Sequence, residues 1–402
     1  MVTLADIQQA RAHMTSVVRH TPLLYSDTFT HIVGSPIYLK AENLQRTGSF
    51  KVRGAFTRLA QLTAEERAAG VIAASAGNHA QGVALAAQMH GVRATIVMPE
   101  TASIAKYQAT IGYGAKVVRH GASYDEALSH AHELAEKQGL VFISGFDDER
   151  IVAGAGTLGL ELVDDLPEVE LVLVPTGGGG LLSGVAVAVK SLLPNAQVVG
   201  VQVTAAPAAY RSFHGNRRVK VPVKPTLADG IAIGQPGEIP LRLMRKYVDD
   251  VVMVDEESIS RALVVVLERS KLLVEPAGAV GLAALMSKKV EPKGKKTAVV
   301  LSGGNLDVAL LDRLVGHGLA LAGRYLVLNL RLSDRPGELA RLLDHLATLK
   351  VNVLDVETHR EGITLPVGQG EVRLVLETQD ASHGDKVRES LRALGYREGA
   401  GK

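Results

Sequence analysis

Residues 49–56, SFKVRGAF, set Lys51 between an aromatic and a β-branched residue. An amine there is either a surface lysine whose stem covers its apolar neighbours or a buried group kept for covalent chemistry. PTGGGGLLSG, residues 175–184, follows an apolar run and precedes a helical one. Its adjacent glycines let the backbone come close to a ligand and aim several N–H groups at it, and a helix start adds its positive end. Leu182 stands where a dinucleotide GxGxxG would need its third glycine, and no Lys-Ser/Thr pair follows as in a P-loop, so a single phosphate is the anion that fits. Three further stretches carry polar groups at similar junctions. SAGNHAQG, residues 75–82, offers Ser75 and Asn78 either as helix caps or as a second anion pocket with an amide for a ligand. LSGGN, residues 301–305, closes an apolar run with a hydroxyl, and EPAGAVG puts Glu275 before a proline-started helix, where a carboxylate also offsets the helix dipole.

The elements that must position these groups alternate. Thr63 and Glu66 form a capping box, Gly70 stops that helix, and VIAAS reads as a strand. A helix to His90, the strand RATIVMP, a further helix, AKVVRH, the helix SYDEALSHAHELAEKQG and LVFISGF continue the rhythm. ELVLVP, AQVVGVQV, DDVVMVD and KTAVVL begin a second set. Short apolar strands alternating with helices predict an α/β fold of parallel sheets covered on both faces, in two lobes, with ligands at the carboxyl ends of the strands. Beyond LALAGRY the style changes to RYLVLNLRLSD, RPGELARLLDHLATLK, VNVLDVETHR, GEVRLVLETQD and DKVRESLRALG. That order predicts a small α+β module with one sheet face towards solvent.

Composition narrows the class. At 402 residues the chain has room for two or three domains, and with 44 basic against 42 acidic residues it carries no broad field for nucleic acid or an anionic membrane. Cysteine is absent, which excludes disulfides and thiolate chemistry and suits a reducing cytoplasm. The amino terminus places Asp6 and two glutamines where a signal peptide would be apolar, and Leu4, Ile7, Met14 and Val17 follow helical spacing instead. Lys190 breaks the apolar run GVAVAVKSLL, so no membrane span is expected. No HExxH-like pair occurs and VGVQVTAAPAAY lacks acidic residues, so no metal site is expected either.

SFKVRGA, SAGNHAQG, PTGGGGLLSG, TLADGIA, EPAGAVG and LSGGN together resemble the threonine dehydratases, pyridoxal-phosphate enzymes of the tryptophan-synthase-β-like fold, here with a carboxyl-terminal ACT-like module. The resemblance implies a catalytic domain over 1–323, with a small lobe near 49–148 and a large lobe from 1–48 and 149–323, and an ACT domain over 324–402. It implies Lys51 as the covalent anchor of the cofactor and as base. Gly177, Gly178, Gly179 and Gly180, with Leu181, would hold the phosphate, Asn78 the ring hydroxyl and Ser302 the pyridine nitrogen, with Phe50, Gly230 and Glu275 beside them. Ser75, Asn78 and His79 would take the substrate carboxylate. Ala76 stands where related racemases carry a second serine, which argues against racemisation.

A lysine base should work near neutrality only if burial lowers its proton affinity, for which Phe50 and Val52 are the expected walls. A serine at the pyridine nitrogen weakens the ring as an electron sink and favours prompt loss of a β-hydroxyl over transamination. The implied reaction is L-threonine to 2-oxobutanoate and ammonia, with L-serine to pyruvate as a side activity, at the first step of isoleucine synthesis. Arg335, Gly337, Glu338 and Leu339 would meet an effector, L-isoleucine or L-valine, in a homotetramer or homodimer. The alternatives are a catabolic serine/threonine dehydratase, a β-replacing threonine synthase, and an amino-acid sensor with a silent catalytic lobe.

Overall fold

The structure, a computed structural model, describes residues 1–14, 18–215, 217–321, 323–359 and 367–399; Val17 of the expected amino-terminal pattern lies outside them. The chain divides into two compact units, Met1–Asp307 and Val308–Lys402. The division precedes LALAGRY because the helix Val308–Leu321 packs against the first strand of the small sheet.

Strands of the first unit are β1 (Leu23–Tyr25), β2 (Ile37–Ala41), β3 (Val71–Ala74), β4 (Ala94–Met98), β5 (Lys116–Arg119), β6 (Val141–Phe142), β7 (Leu171–Pro175), β8 (Gln197–Val203), β9 (Asp250–Val254) and β10 (Thr297–Leu301). They form a larger sheet ordered β1-β2-β10-β7-β8-β9, parallel except for β1, and a smaller all-parallel sheet ordered β5-β4-β3-β6. Every residue of β3, β7 and β10 is buried, as central strands covered on both faces require. In register, Val71 pairs with Ala94, and Thr297 lies between Ile37 and Leu171. The loops leaving the carboxyl ends of β3, β7 and β10 are SAGN, TGGG and SGGN, so topology alone gathers the singled-out motifs.

The expected amino-terminal helix covers Leu4–His13 among the described residues, opened by a Thr3–Asp6 capping box, with Ile7 fully buried in the core. One sequence expectation needs correction. The expected strand LVFISGF forms ladder pairs only over Val141–Phe142, at the sheet edge beside β3.

In the second unit, β11 (Tyr325–Ser333), β12 (Asn352–His359), β13 (Gln369–Glu377) and β14 (Arg397–Glu398) form an antiparallel sheet ordered β12-β13-β11-β14. Leu326, Leu328, Leu330, Leu374 and Leu376 alternate inward against Leu342, Leu346, Val387 and Leu391 of the helices Glu338–Thr348 and Ala381–Ala393. Val327 and Arg373 face the other way, and that face is open. Arg335 and Gly337 precede the first of these helices, Glu338 opens it with a 2.6 Å bond from Arg341, and Leu339 packs on the leucine core. Arg360 of VNVLDVETHR lies outside the described residues.

Three helices of the first unit position the site: Lys51–Ala60, Glu149–Asp165 and Gly180–Leu192. They pack closely because the middle one presents GAGTLG to its neighbours. A Cβ on Gly154 would lie 2.5 Å from the Arg53 carbonyl oxygen and 2.7 Å from the Gly54 Cα, both backbone atoms that cannot step aside. Alanine in a helix interior ordinarily gains about 1 kcal/mol over glycine, whereas overpacking costs about 1–3 kcal/mol. The clash decides the sign: Gly154→Ala lowers the thermal unfolding midpoint by a few degrees, and a midpoint at or above that of the parent chain counts against this packing argument.

Candidate active site

One cavity of about 360 Å³ is lined by Phe50, Lys51, Ser75, Asn78, His79, Gly177, Gly178, Gly179, Gly180, Leu181, Gly230, Glu275 and Ser302. These are all the site residues expected in the first unit, so strand order has assembled groups from six separate stretches. Arg335, Gly337, Glu338 and Leu339 belong to the second unit.

Lys51 is the first residue of its helix, and the loop before it is sewn to the Ser302 loop. The Phe50 amide donates to the Ser302 carbonyl at 3.1 Å, and Ser49 bridges to Gly303. Nζ of Lys51 donates to the Gly145 carbonyl at 2.9 Å and sits 5.2 Å from the Phe50 ring centroid. Burial pushes the amine down to about 8, with Glu275 holding it partly up. Phe50 is the expected wall; Val52 is fully buried but points away from the cavity, because successive helix residues face different sides.

Opposite stands the TGGGG turn. Its helix begins at Gly180, so the first amides have no intrahelical partners and face the cavity end. A side chain at Gly178 would run into the Phe146 ring, and Gly179 takes φ 94°, a conformation that favours glycine. The turn is a backbone cradle that no larger residue could form.

Ser75 and Asn78 do not cap their helix. Its cap position is Gly77, whose amide donates to the Ser75 Oγ at 3.1 Å. The Asn78 amide nitrogen donates to Glu275 Oε1 and its oxygen accepts from Asn305 Nδ2, both at 2.7 Å. Glu275 is therefore more than a dipole-compensating charge; burial raises its carboxyl to about 7 despite the Asn78 bond. His79 lies 3.0 Å through Nε2 from the Ile143 carbonyl, an acceptor that requires a proton on that nitrogen. Burial, helped by Lys51, lowers the ring to about 4, so it is neutral and carries no charge for a carboxylate. Anion contact at this turn falls to backbone amides.

The cavity also holds Lys106, Tyr124, Phe146, Asp229 and Asn305, which the sequence reading did not assign. Lys106 and Asp229 pair at 2.8 Å. Asp229 and Asn305 sat inside quoted motifs, TLADGIA and LSGGN; Lys106 had no motif to mark it. Among the described residues, no cluster of three or more His, Asp or Glu side chains could hold a metal, and no helix is long and apolar enough to cross a membrane.

The family model for pyridoxal-phosphate dependent enzymes matches residues 14–303. The L-threonine ammonia-lyase of Thermotoga maritima is 48% identical over 396 residues, 98% of either chain. A catabolic L-threonine dehydratase of Staphylococcus aureus (strain N315) is 42% identical over 326 residues, 80% of this chain and 94% of the relative. The processed threonine deaminase isoform 2 of Solanum lycopersicum superposes with a TM-score of 0.74 at 38% identity, over 78% of this chain and 91% of that one.

The residues present fit that cofactor. A glycine cradle at a helix start suits one phosphate, a buried amine suits a carbonyl, and the Ser302 hydroxyl, 3% exposed, has no partner among the described residues. Since the family's match runs through both sheets of the first unit, and the cavity those sheets build has the cofactor's chemistry, the chain belongs to the pyridoxal-phosphate dependent enzymes and has their tryptophan-synthase-β-like fold.

Proposed function

We propose that the protein is an L-threonine ammonia-lyase that releases 2-oxobutanoate and ammonia, and pyruvate from L-serine as a lesser activity. The observation that carries this reading is one cavity in which a lysine amine, its proton affinity lowered by burial, faces a phosphate cradle and an unpartnered serine hydroxyl. The names of the relatives, matched over most of the chain, support threonine as substrate.

Bound pyridoxal phosphate supplies a carbonyl that captures an amino acid through its amine and a ring that draws electrons from the α-carbon. The amides at Gly177–Leu181 would hold the phosphate, and Asn78, Ser302, Gly230 and Glu275 would line the space for the ring. The turn from Ser75 to His79 meets the substrate carboxylate with backbone N–H groups. Lys51 Nζ takes the α-proton: an amine at about 8 has an appreciable neutral fraction near neutrality, whereas at the ordinary value of 10.5 it would have almost none. The Gly145 carbonyl holds Nζ in place through its N–H. Ser302 is uncharged and, set at the ring nitrogen, would not fix a proton there, which would favour loss of the β-hydroxyl. Phe50, Phe146 and Ile231 give the cavity apolar walls.

The second unit fits an ACT-like effector module, with the turn from Arg335 to Leu339 as the site for L-isoleucine or L-valine, in a cytoplasmic homotetramer or homodimer. Its βαββαβ order supports this, and the catabolic relative's match covers only 80% of the chain. That favours a regulated, biosynthetic role over the catabolic one.

The deciding experiment is 2-oxo acid release from L-threonine with and without L-isoleucine. Release that isoleucine suppresses is expected; release indifferent to it removes the regulatory assignment, and none with cofactor bound points to a β-replacing enzyme. Lys51→Ala loses covalent cofactor and at least about 10³-fold in kcat, the scale a positioned base contributes; retained turnover refutes the role of Lys51. Because the neutral amine is the working form, kcat rises with pH through about 8. Glu275 stabilises the charged amine, so Glu275→Gln moves that rise to lower pH in a pH–rate profile, and an unmoved profile would separate the two groups.

A further inference from the structure

At one side of the cavity three amide and carbonyl groups form a chain with a direction. Asn305 Nδ2 donates to the Thr47 carbonyl at 2.7 Å and to Asn78 Oδ1 at 2.7 Å, and Asn78 Nδ2 donates to Glu275 Oε1 at 2.7 Å. A backbone carbonyl can only accept, so Asn305 must turn its nitrogen towards Thr47. The second hydrogen of that nitrogen then meets Asn78, which must present its oxygen. Asn78 in turn presents its nitrogen to Glu275, leaving one N–H without a partner among the described residues, at the cavity wall.

Glu275 cannot impose this orientation itself. Burial raises its carboxyl to about 7, so near neutrality it exists both as an acceptor and as a hydroxyl donor, and either end of the Asn78 amide would satisfy one of those forms. The Thr47 carbonyl, read through Asn305, has no such ambiguity. Thr47 belongs to the loop before Lys51, Asn78 follows β3 of the smaller sheet, and Asn305 follows β10 of the larger one, so the chain links three cavity loops.

We infer that Asn305 is a positioning residue: by fixing the polarity of the Asn78 amide it reserves one Asn78 N–H for the oxygen of the cofactor ring. The reversed amide would set a carbonyl oxygen against that acceptor. This rests on the cofactor of the family and not on threonine as substrate, so a different amino-acid substrate leaves it standing.

Asn305→Asp is the shape-conserving test. It donates to neither partner, opposes a carboxylate to the Thr47 carbonyl, and favours the reversed Asn78 amide. The dissociation constant of pyridoxal phosphate from the apoenzyme, and the visible absorbance of the bound cofactor, are measured for the parent chain, N305D, N78A and the double variant. Expected are about tenfold weaker binding and an altered absorbance in N305D, the scale of one buried hydrogen bond, and less than twofold further weakening when N305D is added to N78A. Additive losses, or parent-like affinity and absorbance with only a lower thermal midpoint, would overturn the inference and leave Asn305 a packing residue. Should N305D fail to fold, N305A in the same cycle gives the same two alternatives.

Discussion

The Arg53 guanidinium, 1% exposed, forks between two carboxylates: it meets Glu42 at 2.8 Å and Glu161 at 2.7 Å, with Thr157 at 3.1 Å. Lys40 joins Glu161 at 2.9 Å and Asp165 at 3.0 Å and donates to the Thr21 carbonyl. Burial alone would raise the Glu161 carboxyl, yet Arg53 and Lys40 hold it below the usual range. Such a cluster adds little net stability, since desolvation roughly cancels attraction, but removing one member strands a buried charge and costs about 3–5 kcal/mol. What it fixes is rotation. Arg53 lies two residues beyond Lys51, about 200° around the same helix. Anchoring the guanidinium on the inner side therefore turns the lysine outward, and the amine reaches the cavity because its neighbour cannot leave the core.

Charge inside the cavity follows from the same helix setting. Lys51 and Glu275 are both buried, and burial drives the amine and the carboxyl towards their neutral forms. Each charge partly restores the other. Lys106 and Asp229 act on Glu275 in opposite directions, so the wall contributes little net field of its own. The cradle amides and the helix start at Gly180 then dominate attraction for a phosphate. A site balanced in this way holds its anion by backbone geometry and leaves side-chain charges free to move protons.

Much of this was legible because the chemistry sits at strand ends. VIAA, LVLVP and TAVVL announce themselves as buried parallel strands, and the residues following such strands face the ligand. Lys51 and the glycines could be placed without knowing any long-range contact. Asn305 could not: its role depends on Thr47 and Asn78, each more than 200 positions away, and a single sequence carries no record of such pairings. Lys106 was silent for the same reason, since only folding brings it to Asp229. The helix Val308–Leu321 has the apolar character of the first unit's helices while packing with the second, so its pattern alone does not show to which unit it belongs.

The contact between Gly178 and Phe146 bears on how this cavity can change over evolutionary time. Any Cβ at position 178 would overlap the phenyl ring, so the two positions are not free to vary one by one. A lineage that enlarges residue 178 must first accept a smaller residue at 146, and that intermediate would open the cavity wall beside the phosphate cradle. The order of substitutions is thus constrained by geometry, and the shape of this wall is inherited as a pair.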